Sequence, residues 1–214
     1  MTDRAARQEA RLGLAGPLGP LLYGAGRLIC ATAFRLLWRR RVIGEENIPA
    51  EGPVILAANH ASLADPPIVG SAVRRRVYFM AKQELFEALG FGWLIKQLNA
   101  FPIRRVERDM GAFRMAQRIL GAGEMLILFP EGTRQRGGKL GRARPGVGML
   151  ALKANSCVVP VYVHNSHLTG SFGQVAVVFG PPLYPAGETD YQAFSDKVMS
   201  AIAQLKEAHF GTPQ

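Results

Sequence analysis

The sequence predicts an α/β fold, a single mixed-sheet domain flanked by helices and preceded by an N-terminal amphipathic helical segment. Two observations carry this reading. From residue 42 onward, short apolar runs alternate with stretches of helical periodicity. At 214 residues and 48% apolar content the chain suffices for one such domain and a modest appendage, and no repeat, linker or low-complexity tract divides it. The expected division is a helical segment at 1–41 and a domain at 42–214.

Strands are expected at residues 41–44, 54–58, 77–81, 101–103, 125–129, 158–164 and 174–179, where runs rich in Val, Ile, Leu and Phe are bounded by Gly, Pro or Asn. The runs at 54–58 and 125–129 are continuously apolar, as in strands covered on both faces. Helices are expected at 66–73, 85–98, 110–120, 147–154 and 190–208. Asp65 before Pro66 suits a helix start, and Thr189 with Gln192 reads as a capping box for the last helix.

The apolar run at 18–38 is interrupted by Pro20, Gly24, Gly26, Arg27 and Arg35 and closed by Arg39, Arg40 and Arg41. Spanning a bilayer takes about 20 apolar residues, and an arginine at the centre costs roughly 2.5–3.5 kcal/mol, so the run is not read as a span. Leu18, Leu22, Ala25, Ile29 and Leu36 share a helical face, with Arg27, Phe34 and Trp38 on the other side. This pattern fits a helix lying among lipid headgroups, and the competing reading is a helix docked on the domain. The long polar leader and the arginines also exclude a secretory signal.

The net charge of +10 is concentrated in two places. Residues 1–43 hold eight arginines against two acidic residues, and residues 97–146 hold ten basic against four acidic residues. Such fields suit an anionic surface or substrate. No nucleic acid is expected as a partner, since zinc-finger spacing, basic heptads and RNP-like strands are absent and the basic N-terminal stretch is interleaved with leucine. Cys30 and Cys157 match no metal or redox spacing, so a reduced compartment and no metal site are expected.

Three segments carry chemistry. The apolar run from Val54 delivers Asn59 and His60 to a strand end, and Asp65 follows five residues after the histidine. If the chain turns back, the carboxylate takes one imidazole nitrogen and leaves the other to accept a proton from a hydroxyl. Alone, this spacing better describes a helix-capping or half-buried histidine. The second run ends in Phe129-Pro-Glu-Gly-Thr-Arg, where the Gly132 and Thr133 amides, the Thr133 hydroxyl and the Arg134 guanidinium could converge on a phosphate. Glu131 would repel a phosphate, so it is assigned either to a glycerol hydroxyl or to holding an arginine. Between them, Phe101-Pro-Ile-Arg-Arg presents Arg105, suited to a phosphate monoester, and Arg104, read as surface charge.

With Val158-Val-Pro-Val as a fourth block, this ordered set resembles the glycerol-phosphate and lysophosphatidate acyltransferase family over about residues 40–185. The resemblance implies a His60–Asp65 catalytic dyad, and Arg105, Glu131, Gly132, Thr133 and Arg134 around the glycerophosphate end of the acceptor. Pro160 would help to shape an acyl pocket. Arg144 stands where the family commonly has lysine.

The expected reaction moves an acyl chain from acyl-CoA or acyl carrier protein to the sn-2 hydroxyl of 1-acyl-glycerol-3-phosphate, giving phosphatidic acid. A thioester is already activated, so no enzyme nucleophile and no cofactor is expected, and Ser62 lacks the G-x-S-x-G turn. The alternatives are another lyso-lipid acceptor, such as a lyso-ornithine lipid, or a non-catalytic peripheral membrane protein. The expected location is the cytoplasmic face of a membrane, peripheral or monotopic.

Overall fold

A computed structural model describes residues 18–104, 109–171 and 173–211. Seven strands form one sheet: β1 (Arg41–Ile43), β2 (Val54–Ala58), β3 (Val77–Lys82), β4 (Ala100–Ile103), β5 (Met125–Leu128), β6 (Cys157–His164) and β7 (Ala176–Phe179). Their spatial order is β1-β7-β6-β2-β5-β3-β4. Neighbours are parallel except β6 and β7, so the sheet is mixed and β1 and β7 run against the other five. The carboxyl ends of those five strands therefore share one edge, where open α/β sheets collect functional groups.

Six helices surround the sheet among the described residues: α1 (Gly19–Leu37), α2 (Asp65–Gly70), α3 (Phe91–Gln97), α4 (Met110–Gly121), α5 (Gly146–Ala154) and α6 (Tyr191–Phe210). Every residue of β2 is buried, and its side chains alternate between two cores. Ile55 and Ala57 face the core shared with α4, α5 and α6, while Val54, Leu56 and Ala58 face the core shared with α1 and α2. The continuous apolar run is the consequence of cover on both faces.

Three elements differ from the sequence expectation. The helix expected at 85–98 is split into a 3-10 turn, Gln83–Phe86, and α3, because Gly90 takes φ +75°, which a continuous helix does not allow. The last helix is capped by Asp190 instead of Thr189. Its Oδ1 accepts from the Gln192 and Ala193 amides at 2.7 and 3.1 Å, satisfying two donors that the helix itself leaves free.

The third concerns α1, which docks on the domain as the competing reading has it. Its Arg27 side packs against the domain: Phe34 is buried, Arg27 donates to the Val73 carbonyl at 3.2 Å, and the Tyr23 hydroxyl accepts from the Val77 amide at 3.0 Å. Burying one phenylalanine stabilises such docking by roughly 1.5–3 kcal/mol. At the helix's end Trp38 donates to the Thr169 carbonyl at 2.6 Å, and Arg40 donates to the Ile68 and Ser71 carbonyls at the end of α2. Leu18, Leu21, Leu28, Ile29 and Leu36 are exposed on the far side. Of the segment 1–41, residues 1–17 lie outside the described residues. No described helix is long and apolar enough to cross a membrane.

Candidate active site

Where β2 leaves the sheet, Asn59 fixes its path. The side chain brackets one residue of β6, donating through Nδ2 to the Val163 carbonyl at 3.1 Å and accepting at Oδ1 from the Val163 amide at 2.7 Å. His60 follows immediately, held by its backbone on both sides. Its amide donates to Glu131 Oε2 at 3.0 Å, and its carbonyl accepts from the Gln135 amide at 2.7 Å. The imidazole stacks on Phe129 with ring centres 4.0 Å apart and planes at 19°.

Asp65 is fully buried, and its Oδ2 collects three contacts: His60 Nδ1 at 2.8 Å, the Ala61 amide at 2.7 Å and the Ser62 amide at 2.8 Å. The five-residue spacing works because those two amides fold the intervening chain around the carboxylate. An ionised carboxylate only accepts, so Nδ1 carries the proton and Nε2 is left as the basic nitrogen.

Glu131, three residues beyond β5, is buried, and each of its oxygens meets a backbone donor. Its Oε1 accepts from the Gly141 amide at 3.0 Å while Oε2 holds His60, so both oxygens serve backbone donors. Burial pushes its carboxyl above the usual carboxylate range, partly opposed by those two amides and by the nearby His60.

Gly132 adopts φ +69°, and its amide turns back to the Phe129 carbonyl at 3.0 Å, so it does not point outward as an anion donor. The Arg144 side chain lies against it, with Cδ 2.8 Å from where a Cβ would stand. Thr133 sits beside Gln135, whose Nε2 approaches the Thr133 carbonyl at 3.2 Å. Arg134 and Arg144 are exposed, Arg134 at the cavity that His60 also lines and Arg144 against Gly132, whereas Arg105 lies outside the described residues.

A cavity of about 670 Å³ begins at His60 and Arg134 and runs under β3, past Ala81 and Phe79 to Val77. Four residue steps of strand correspond to a depth of roughly 13 Å. Its walls are overwhelmingly apolar, and α1 closes the far part with Tyr23, Gly26 and Cys30. The role of α1 as a wall and the stacking of Phe129 escaped the sequence reading, since both depend on contacts between distant segments. A basic nitrogen beside such a cavity suits a reaction that brings a hydroxyl to the histidine and an apolar chain to the cavity.

Fold and site thus define an α/β protein built around a buried His–carboxylate pair next to an apolar cavity. A family model described as Acyltransferase matches residues 39–164, more than half the chain, and the protein belongs to that family. It is similar to the 1-acyl-sn-glycerol-3-phosphate acyltransferase of Bacillus subtilis (strain 168), at 30% identity over 110 residues, covering 49% of this chain and 55% of that one. The enzyme of the same description from Streptococcus pneumoniae is 30% identical over 161 residues, covering 73% and 58%. The chain spans little more than half the length of these two curated relatives. The crystal structure of the 1-acyl-sn-glycerophosphate (LPA) acyltransferase PlsC from Thermotoga maritima superposes with a TM-score of 0.73 at 26% identity, covering 99% of this chain and 85% of that one.

Proposed function

We propose that this protein transfers a fatty acyl chain from an acyl thioester, acyl-CoA or acyl carrier protein, to the sn-2 hydroxyl of 1-acyl-glycerol-3-phosphate. The observation that carries the reading is the 2.8 Å contact between His60 Nδ1 and Asp65, beside a cavity shaped for an apolar chain. Nε2 takes the proton of the acceptor hydroxyl as its oxygen attacks the thioester carbonyl. The tetrahedral intermediate collapses with loss of the thiolate, which receives the proton from the imidazolium. Asp65 stabilises that imidazolium through Nδ1. Arg134 and Arg144, with Arg105 by family resemblance, supply the positive charge for the acceptor phosphate.

The protein acts at the cytoplasmic face of an anionic membrane in this proposal. Two features support it: the exposed Leu21, Leu28, Ile29 and Leu36 on α1, and the net charge of +10. The test supplies purified protein with lysophosphatidate, a lyso-ornithine lipid and other lysophospholipids, using both donor classes. Lysophosphatidate should be the preferred acceptor, and His60→Ala should lower turnover about 10²- to 10⁴-fold without loss of folding. Near-normal turnover by His60→Ala would sink the dyad, and preference for another lyso-lipid would reassign the acceptor.

A further inference from the structure

The segment between the 3-10 turn and the end of α3 has an unusual surface. Residues 88–95, Ala-Leu-Gly-Phe-Gly-Trp-Leu-Ile, contain no charged side chain. Leu89 is fully exposed, and Phe91, Trp93 and Leu94 are 48%, 56% and 41% exposed. Single exposed apolar residues are ordinary, but four within six residues make a patch that needs an occupant. The positive φ of Gly90 breaks the helix here, so Leu89 and the first turn of α3 protrude together.

This patch is also part of the rim of the cavity. Phe91 lines the cavity and is half exposed, and Leu63, in the loop between His60 and Asp65, also lines it and is 68% exposed. The apolar wall thus continues onto the outer surface. The neighbouring helix, α1, meets this region where Gly26 lies against Leu98, and it presents its own exposed leucines.

We propose that Leu89–Leu94 is a second membrane-inserting element, distinct from α1. It places the rim formed by Phe91 and Leu63 in the acyl region of the bilayer, so that apolar chains pass sideways between lipid and cavity. The proposal rests on the reading of the substrates as lipids. Charge selects the bilayer over a second copy of the chain, because two molecules at +10 repel whereas an anionic bilayer attracts. A protein seated on the rim would also block the cavity. The local flanking charges, Glu84 and Glu87 against Lys82 and Lys96, cancel, so apolar insertion holds this element and salt should not release it. An indole at the edge of such a patch suits the interfacial zone.

The chain has two tryptophans, Trp38 and Trp93, which makes insertion directly readable. Full-length protein is bound to phosphatidylglycerol-containing vesicles whose acyl chains are brominated near the headgroup, and fluorescence quenching is compared with that of Trp93→Phe at equal bound fraction. Quenching should be strong in the native protein, persist at high salt and largely vanish in Trp93→Phe. The double variant Leu89→Ser/Trp93→Ser should bind vesicles about tenfold more weakly, from the loss of apolar burial. Its turnover on a soluble short-chain acceptor should be unchanged, since neither residue lines the cavity. Equal quenching in native protein and Trp93→Phe would overturn the proposal. So would a native dimer that the double variant dissociates without any change in quenching. Quenching needs no turnover, so a failure of the acyl-transfer reading remains distinguishable: it would show as no transfer to any acceptor.

Discussion

The backbone amide of His60 donates to the buried carboxylate of Glu131 at 3.0 Å, tying the loop after β2 to the loop after β5 at the residue that carries the basic nitrogen. The other oxygen of Glu131 holds the Gly141 amide, so one side chain joins three stretches of chain. In the proposed reaction its part is to place His60 on Phe129 and against Asp65.

Glu131→Gln should therefore lower kcat about 10²-fold, the scale expected when a reacting group is displaced by about 1 Å, and leave KM for the acceptor nearly unchanged. The amide NH₂ would face one of the two backbone donors where an oxygen now accepts. Steady-state kinetics decides the point. A rise in acceptor KM at constant kcat would return Glu131 to the substrate.

The same substitution has a pH signature. Burial raises the Glu131 pKa above its unfolded value of about 4.3, so between those two values the folded chain binds more protons than the unfolded chain. Its contribution to stability is greatest below the unfolded pKa and is lost as pH rises through the raised one. The stability of the native protein relative to Glu131→Gln should thus fall as pH increases across this window, measured by urea midpoints. A relative gain with pH would mean that the two amides outweigh burial.

Asp65 has two separable duties, because Oδ2 serves both the imidazole and the Ala61 and Ser62 amides. Asp65→Asn should keep an acceptor for the amides and remain folded, yet lose about 10²- to 10⁴-fold in turnover as the base is impaired. Asp65→Ala should in addition unfold more easily by about 1–3 kcal/mol, since it leaves buried donors unpaired. Thermal unfolding and turnover measured on both variants test the separation.

Cys30 lines the part of the cavity closed by α1. Cys30→Phe should fill that space and shift donor preference toward shorter acyl chains by about tenfold, the scale on which apolar pockets discriminate length. A chain-length panel of acyl donors provides the measurement, and an unchanged profile would place the acyl chain elsewhere.

Gly132 occupies φ +69°, which costs a side-chain-bearing residue about 1–2 kcal/mol. Gly132→Ala should lose about that much stability, and its Cβ would displace the Arg144 side chain. Acceptor KM should rise if Arg144 faces the phosphate, and unaltered acceptor KM would remove Arg144 from the site.

The parts of this molecule legible in the sequence are those governed by local pattern. The strand expected at 54–58 matches β2, and the one at 125–129 matches β5 to within a residue, because cover on both faces writes an unbroken apolar run. His60 and Asp65 come together because a short turn decides their meeting. Pattern failed where one residue redirects the chain, as Gly90 does in the helix expected at 85–98. It failed again where a helix has two apolar faces. Arg27 stands opposite the leucine face of α1, and its guanidinium reaches a carbonyl 46 residues away. The backbone partners of Glu131 were not legible either, since they are amides that no side-chain pattern marks.

The contacts of α1 also impose an order on biosynthesis. Arg27, Tyr23 and Trp38 reach partners 46, 54 and 131 residues further along the chain. At about 5–20 residues per second, Thr169 follows Trp38 from the ribosome by roughly 7 to 26 seconds. For that interval the helix has both of its apolar sides uncovered and no finished sheet to receive either. Only when β3 has formed and the segment containing Thr169 has been made can α1 settle and close the far wall, so the compartment for an apolar chain waits on segments made after the helix that closes it.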